Sequence, residues 1–199
     1  LGGVAGHAGL FSTAADLVQL GIGTPNIDGN TTLCMATAVS GYKRSFGSDG
    51  PPGAYEDLER ADVIILIGAN VAENHPILCW RLRSNPNATL IVADPRVTKT
   101  AMLADLHLPL KPRSDLALVN GFIHFVIENG LVDREYVAHY TSGFEALRES
   151  VRDYTPERVA EITGLSVDLI CRTAWTYARA RAGFIGWTMG VNHSTKGTE

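Results

Sequence analysis

Cysteine is scarce in this chain. Cys34, Cys79 and Cys171 are its only three, and they stand far apart. That excludes the paired spacing of a structural zinc site and leaves no even set for a disulfide framework. Such sparse use points to a reducing compartment, and the cytoplasm is the expected location. No apolar run is long enough to cross a bilayer. No signal peptide is visible either, but a lost N-terminus would remove one, so a periplasmic location stays open. Positive charge is not in excess. The 17 Lys and Arg stand against 21 Asp and Glu, a formal charge of −4, which argues against a general binder of phosphate backbones and so against nucleic acid as a partner. There is no Walker A sequence, no Gly-x-Gly-x-x-Gly fingerprint, no repeat and no low-complexity tract. An initiator Met is lacking, and Gly197-Thr198-Glu199 carries no stop signal. A piece of a longer polypeptide is therefore expected.

What is present describes a globular chain. Hydrophobic residues make up 45% and charged residues 19%, enough apolar surface to bury a core. Residues 1–20 read as an atypical N-terminal segment. They are glycine- and alanine-rich at the start, with a short helix expected near Ala14 behind Ser12 or Thr13. Gly21 to Gly29 is loop chemistry, and a helix is expected over Thr32–Phe46. From Ala54 a strand–helix rhythm takes over. Strands are expected at 62–67, 89–93, 106–110 and 183–188. Helices are expected near 75–84 and 98–104, from Ser114-Asp115 to a stop at Gly130, in three pieces across 133–163, and over 166–182. Alternation of this kind predicts an α/β fold with a doubly wound, mostly parallel sheet and flanking helices.

In such sheets ligands bind beyond the carboxyl ends of the strands. Four segments fall there. The first is the turn Gly68–Asn74 after an apolar run. It offers backbone N–H groups to a phosphate, and it reads equally as a tight turn without a ligand. Asp94 closes the second strand, where a carboxylate reads a ribose or base. Its plainer role is to cap the next turn. Arg113-Ser114-Asp115 opens a helix. Ser114 or Asp115 serves as its cap, or the same groups hold a nucleobase edge or phosphate. Met189 and His193 follow the last strand, and a lone histidine there reads first as a surface residue. His75, before Pro76, reads as a helix-start residue. Cys34 taken alone reads as a small buried hydrophobe.

The full set of positions resembles the molybdopterin oxidoreductase superfamily, the group of dimethyl sulfoxide reductase, formate dehydrogenase and bacterial nitrate reductase. The carrying residues are Asn30-Thr31-Thr32-Leu33-Cys34-Met35, Tyr55-Glu56-Asp57-Leu58, Ile67 through Pro76, Ala93-Asp94-Pro95-Arg96 and Ala104 through Leu108. Gly143-Phe144-Glu145, Tyr154-Thr155-Pro156-Glu157, Met189-Gly190-Val191-Asn192 and Lys196-Gly197-Thr198-Glu199 complete the set. The resemblance spans residues 21–199 and implies an α/β region that binds molybdopterin guanine dinucleotide, truncated at both ends. Within the superfamily it resembles bacterial nitrate reductases of the assimilatory type, because Met35 stands where formate dehydrogenases carry a histidine.

The resemblance implies a Mo-bis(molybdopterin guanine dinucleotide) centre, with Cys34 as catalytic residue and metal ligand. It implies cofactor contacts from Ile67, Gly68, Ala69, Asn70, Val71, Ala72, Glu73 and Asn74. Further contacts come from Asp94, Pro95, Arg96, Val97 and Thr98, from Arg113, Ser114 and Asp115, and from Met189 and His193. At His193 nitrate reductases usually have a glutamine. The implied reaction reduces nitrate to nitrite by oxygen-atom transfer. Electrons come from a [4Fe-4S] cluster whose ligands would precede residue 1, and from an electron-donor protein or domain. The alternatives are a formate dehydrogenase or another family member, or a nucleotide-binding module without redox chemistry. Residues 1–18 resemble a segment of penicillin-binding-protein-like serine hydrolases, but no Ser-x-x-Lys motif accompanies them.

Overall fold

The structure is a computed structural model that describes residue 23, residues 34–194 and residues 197–198. It divides into one unit of residues 1–36 and another of residues 37–199. The helix expected near Ala14 lies outside the described residues. In the first unit, Cys34 and Met35 are half-buried and precede helix α1 (Ala36–Phe46).

The second unit is built on four parallel strands: β1 (Val63–Ile67), β2 (Thr89–Ala93), β3 (Leu106–Leu108) and β4 (Gly183–Trp187), in the order β3-β2-β1-β4. Ile65 of β1 pairs with Ile91 on one side and Ile185 on the other. All five residues of β1 are buried. A central parallel strand is covered on both faces and therefore has no polar alternation. The pleat divides its side chains instead. Val63, Ile65 and Ile67 point into a core with Leu118 of α4 (Asp115–Glu128), Val159 of α7 (Pro156–Thr163) and Ile170 of α8 (Val167–Ala178). Ile64 and Leu66 point the other way, onto Leu58 of a 3₁₀ turn and Cys79 and Leu82 of α3 (Pro76–Arg83), which follows the one-turn helix α2 (Val71–Asn74). Each such side chain stabilises the fold by roughly 1.5–3 kcal/mol relative to exposure. Helices on both faces make the sheet doubly wound, as the strand–helix rhythm predicts.

Local signals set the ends of the helices. At the end of α4, Leu131 N–H donates to Val126 O and Gly130 N–H to Ile127 O, with Gly130 at φ +65. This is a Schellman ending, and Gly130 is the stop read from the sequence. Thr155 Oγ1 accepts from Arg158 N at the start of α7, with Pro156 in the first turn. The three helices across 133–163 are α5 (Arg134–Tyr140), α6 (Phe144–Val151) and α7. Several boundaries move: β3 ends at Leu108 and not at 110, and α8 ends at Ala178 and not at 182. The expected 98–104 helix is only a 3₁₀ turn at Ala101–Leu103, and the last strand stops at Trp187, giving way to a short helix α9 (Met189–Asn192).

Candidate functional site

The chain walks outward from β1 through β2 to β3, then crosses to the far side of β1 for β4. The reversal leaves a crevice between the carboxyl ends of β1 and β4, the place where such sheets take ligands. At this crevice two backbones touch. A Cβ on Gly68 would lie 3.0 Å from Gly190 Cα, and one on Gly190 would lie 2.9 Å from Gly68 Cα. Gly68 adopts φ +55, donates its N–H to Ala93 O at 2.8 Å, and accepts from Thr188 Oγ1 at 2.6 Å. Only glycine fits both demands, a left-handed backbone and close contact with a distant stretch of backbone.

The predicted segments gather along this edge. Ile67 through Asn74 continue β1, Asp94 through Thr98 continue β2, Arg113 through Asp115 follow β3, and Met189 follows β4. Their roles differ. Ile67, Ala69 and Val71 are buried in the core and offer only backbone to a ligand. Asn70, Glu73 and Asn74 keep polar side chains at the surface of the β1 turn. Asp94 is 7% exposed, and its Oδ1 accepts from Arg96 N at 2.8 Å, so the turn-capping role is realised. His107 of β3 donates from Nε2 to Asp94 O at 2.9 Å and braces the same turn. Thr98, also buried, caps Ala101 N–H. Pro95, Arg96 and Val97 are exposed. His193 is exposed at the end of α9, and His75 is an exposed junction between α2 and α3.

At the β3 turn the expected cap is corrected. Ser114 occupies the cap position of α4, but its hydroxyl donates back to Lys111 O at 2.6 Å instead of accepting a helix N–H. The preceding Arg113 sits at φ +67, a left-handed conformation that costs a non-glycine residue about 1–2 kcal/mol. Strain of this kind persists only where its surroundings over-determine it. Asp115 is half-buried. Burial first, and then the nearby negative charge of Asp94, raises its carboxyl above the ordinary 3.8. The two carboxyls therefore face one region from different turns. Glu73 moves the other way. The exposed Lys99 ammonium at 3.0 Å, then the Asn70 amide, hold it below the usual carboxylate range.

Asp94 and Asp115 offer carboxyl acceptors, while Arg96 and Arg113 are exposed cations and Lys99 is an exposed cation paired with Glu73. Among the described residues no group of three or more His, Cys, Asp and Glu gathers as a metal site. Sequence reasoning missed Thr100, Thr188 and Gly190. Gly190 alone carried a signal, as a glycine just beyond a strand.

An open parallel sheet with helices on both faces and a switch-point crevice defines the class as a doubly wound α/β domain. The chain belongs to the molybdopterin oxidoreductase family, whose sequence model matches residues 6–199. That match begins inside the segment read as atypical. The chain is 44% identical over 192 residues to a nitrate reductase of Synechocystis sp., covering 94% of this chain and 27% of that protein. It is 38% identical over 180 residues to formate dehydrogenase H of Escherichia coli, covering 89% and 25%. The acetylene hydratase of Pelobacter acetylenicus superposes with a TM-score of 0.79 at 30% identity, covering 92% of this chain and 25% of that one. The chain thus spans about a quarter of the length of the relatives it matches.

Proposed function

We propose that this chain supplies part of the Mo-bis(molybdopterin guanine dinucleotide) site of a nitrate reductase of the assimilatory type. The observation that carries it is the convergence of Asp94, Asp115 and the cationic side chains on the switch-point crevice, in a chain 44% identical to a nitrate reductase. Asp94 and Asp115 would take the guanine edge, and Arg96, Lys99 and Arg113 the phosphates. Gly68 and Ala69 would approach through backbone, and Asn70 through its side-chain amide. Cys34 would hold the metal through a thiolate, a soft ligand suited to a centre already bound by dithiolene sulfur. When bound, the cofactor supplies two-electron oxygen-atom transfer, by which nitrate, two electrons and two protons give nitrite and water. A [4Fe-4S] cluster and a donor protein or domain outside this chain would deliver the electrons. The sparse cysteines favour a cytoplasmic site for the whole enzyme.

Formate oxidation is the second reading, favoured by the likeness to formate dehydrogenase H. Met35 opposes it, since a thioether beside Cys34 cannot accept a proton. The test uses the full-length enzyme. Nitrate with reduced viologen should turn over, formate with an oxidised dye should not, and Cys34→Ala should reduce nitrate turnover to background at a modest cost in stability. Robust formate oxidation would replace the nitrate reading. Normal nitrate turnover by Cys34→Ala would remove the ligand assignment.

A further inference from the structure

Thr100 belongs to none of the segments singled out from the sequence, yet its side chain joins two of them. It is fully buried, in the connection between β2 and β3. Its hydroxyl oxygen accepts from Ala72 N–H at 3.0 Å and donates to Asn70 Oδ1 at 2.9 Å. The direction of these bonds is forced. A backbone N–H can only donate, so the single hydroxyl proton goes to Asn70. That proton fixes which end of the Asn70 amide is oxygen. The opposite end, Nδ2, donates to the Glu73 carboxylate, and Glu73 pairs with Lys99. A chain of polar contacts thus runs from Lys99 through Glu73, Asn70 and Thr100 to the Ala72 amide. It closes the β1 turn onto the segment that follows β2. Asn70 precedes α2 but makes no capping bond to it. Thr100 satisfies that amide from a distant part of the chain.

We propose that Thr100 is a positioning residue. It locks the turn after β1 to the turn after β2 and holds the Asn70 amide in one orientation toward the nucleotide end of the cofactor. This rests on the crevice reading given above. The residue touches no ligand itself. Its effect passes through Asn70 and through the spacing of the two turns.

The experiment uses the full-length enzyme with Thr100→Val, Thr100→Ser and a control, Thr173→Val. Thr173 is equally buried, in α8, and its hydroxyl bonds only Leu169 O within its own helix. Three quantities are read: molybdenum and guanine nucleotide retained per polypeptide after gel filtration, the melting temperature, and hydrogen exchange at the Ala72 amide. Thr100→Val leaves the half-buried Ala72 amide and Asn70 Oδ1 without this partner, which should weaken cofactor retention by roughly tenfold and speed Ala72 exchange. Thr100→Ser keeps the hydroxyl and should restore both. Thr173→Val should keep its cofactor even where its melting temperature falls as far. Full retention by Thr100→Val, failure of the serine to rescue, or equal cofactor loss in Thr173→Val would each overturn the proposal. A wild-type enzyme without molybdenum or guanine nucleotide would overturn the crevice reading and the proposal with it. In that case the Ala72 exchange rates still tell a missing ligand from a missing lock.

Discussion

Asp115 carries the pH dependence of the crevice. Its carboxyl is raised by burial and then by Asp94. A carboxyl raised in the folded state favours folding while it stays neutral. That stability is fully present below the ordinary value of 3.8 and is lost as pH rises through the raised folded value. Asp115→Asn cannot ionise and escapes the loss. Denaturant titrations of both proteins from acid to neutral pH should show the asparagine variant gaining relative stability across that window and levelling off above it. A difference that stays flat with pH would mean Asp115 is not raised. The shift was not legible in the sequence. Asp115 and Asp94 are 21 positions apart in the chain, and only the fold brings their charges together. Asn70 belongs to the same scale, because its amide is oriented by Thr100 from 30 positions away.

At the scale of single elements, two glycines in left-handed backbone separate strain from contact. Gly130 ends α4 at φ +65 with nothing within 4 Å of a would-be Cβ. Gly68 ends β1 at φ +55 against the backbone of Gly190. Gly130→Ala should therefore cost about 1–2 kcal/mol, the strain alone. Gly68→Ala should cost roughly 1–3 kcal/mol more, because backbone cannot move aside as a flexible side chain does. Equilibrium unfolding of both variants checks the order, and equal losses would mean the β1–β4 crevice is looser than drawn. The Gly130 stop was readable from the sequence because a Schellman ending uses only neighbours in the chain. The role of Gly68 was readable only in outline. A glycine after a strand announces a turn, but not which strand will lie beside it.

Seen as a whole, the second unit is open on one side. β4 pairs with β1 and stands at the edge of the sheet, with Ile185 39% exposed. Beside it, Val119, Ile123, Leu147 and Ile185 line two adjoining apolar cavities of about 370 and 420 Å³. A parallel edge with no strand beside it among the described residues, above apolar surface, invites association. These 199 residues, produced alone in a host that makes the cofactor, should self-associate and retain no molybdenum, since a cleft missing much of its frame loses preorganisation. Light scattering and metal analysis check this. A monomer with stoichiometric molybdenum and viologen-linked nitrate reduction would show that the chain is sufficient by itself.

The sequence by itself determined the α/β class, the order of strands and helices, and the helix caps at Thr155 and Gly130. Each depends on side-chain period or on bonds between residues a few positions apart. It also determined that the segments at 67–74, 94–98 and 113–115 follow strands, because an apolar run ending in glycine or acid is a local signal. Only the tertiary structure decided that β4 lies against β1 and not beyond β3. That choice makes the crevice, and it is set by which faces α4, α7 and α8 bury together. The same holds for Ser114, whose hydroxyl turned back to Lys111 although its position predicts a cap. It holds as well for Thr100, a threonine with no pattern around it, whose two bonds exist because folding carries it to the β1 turn.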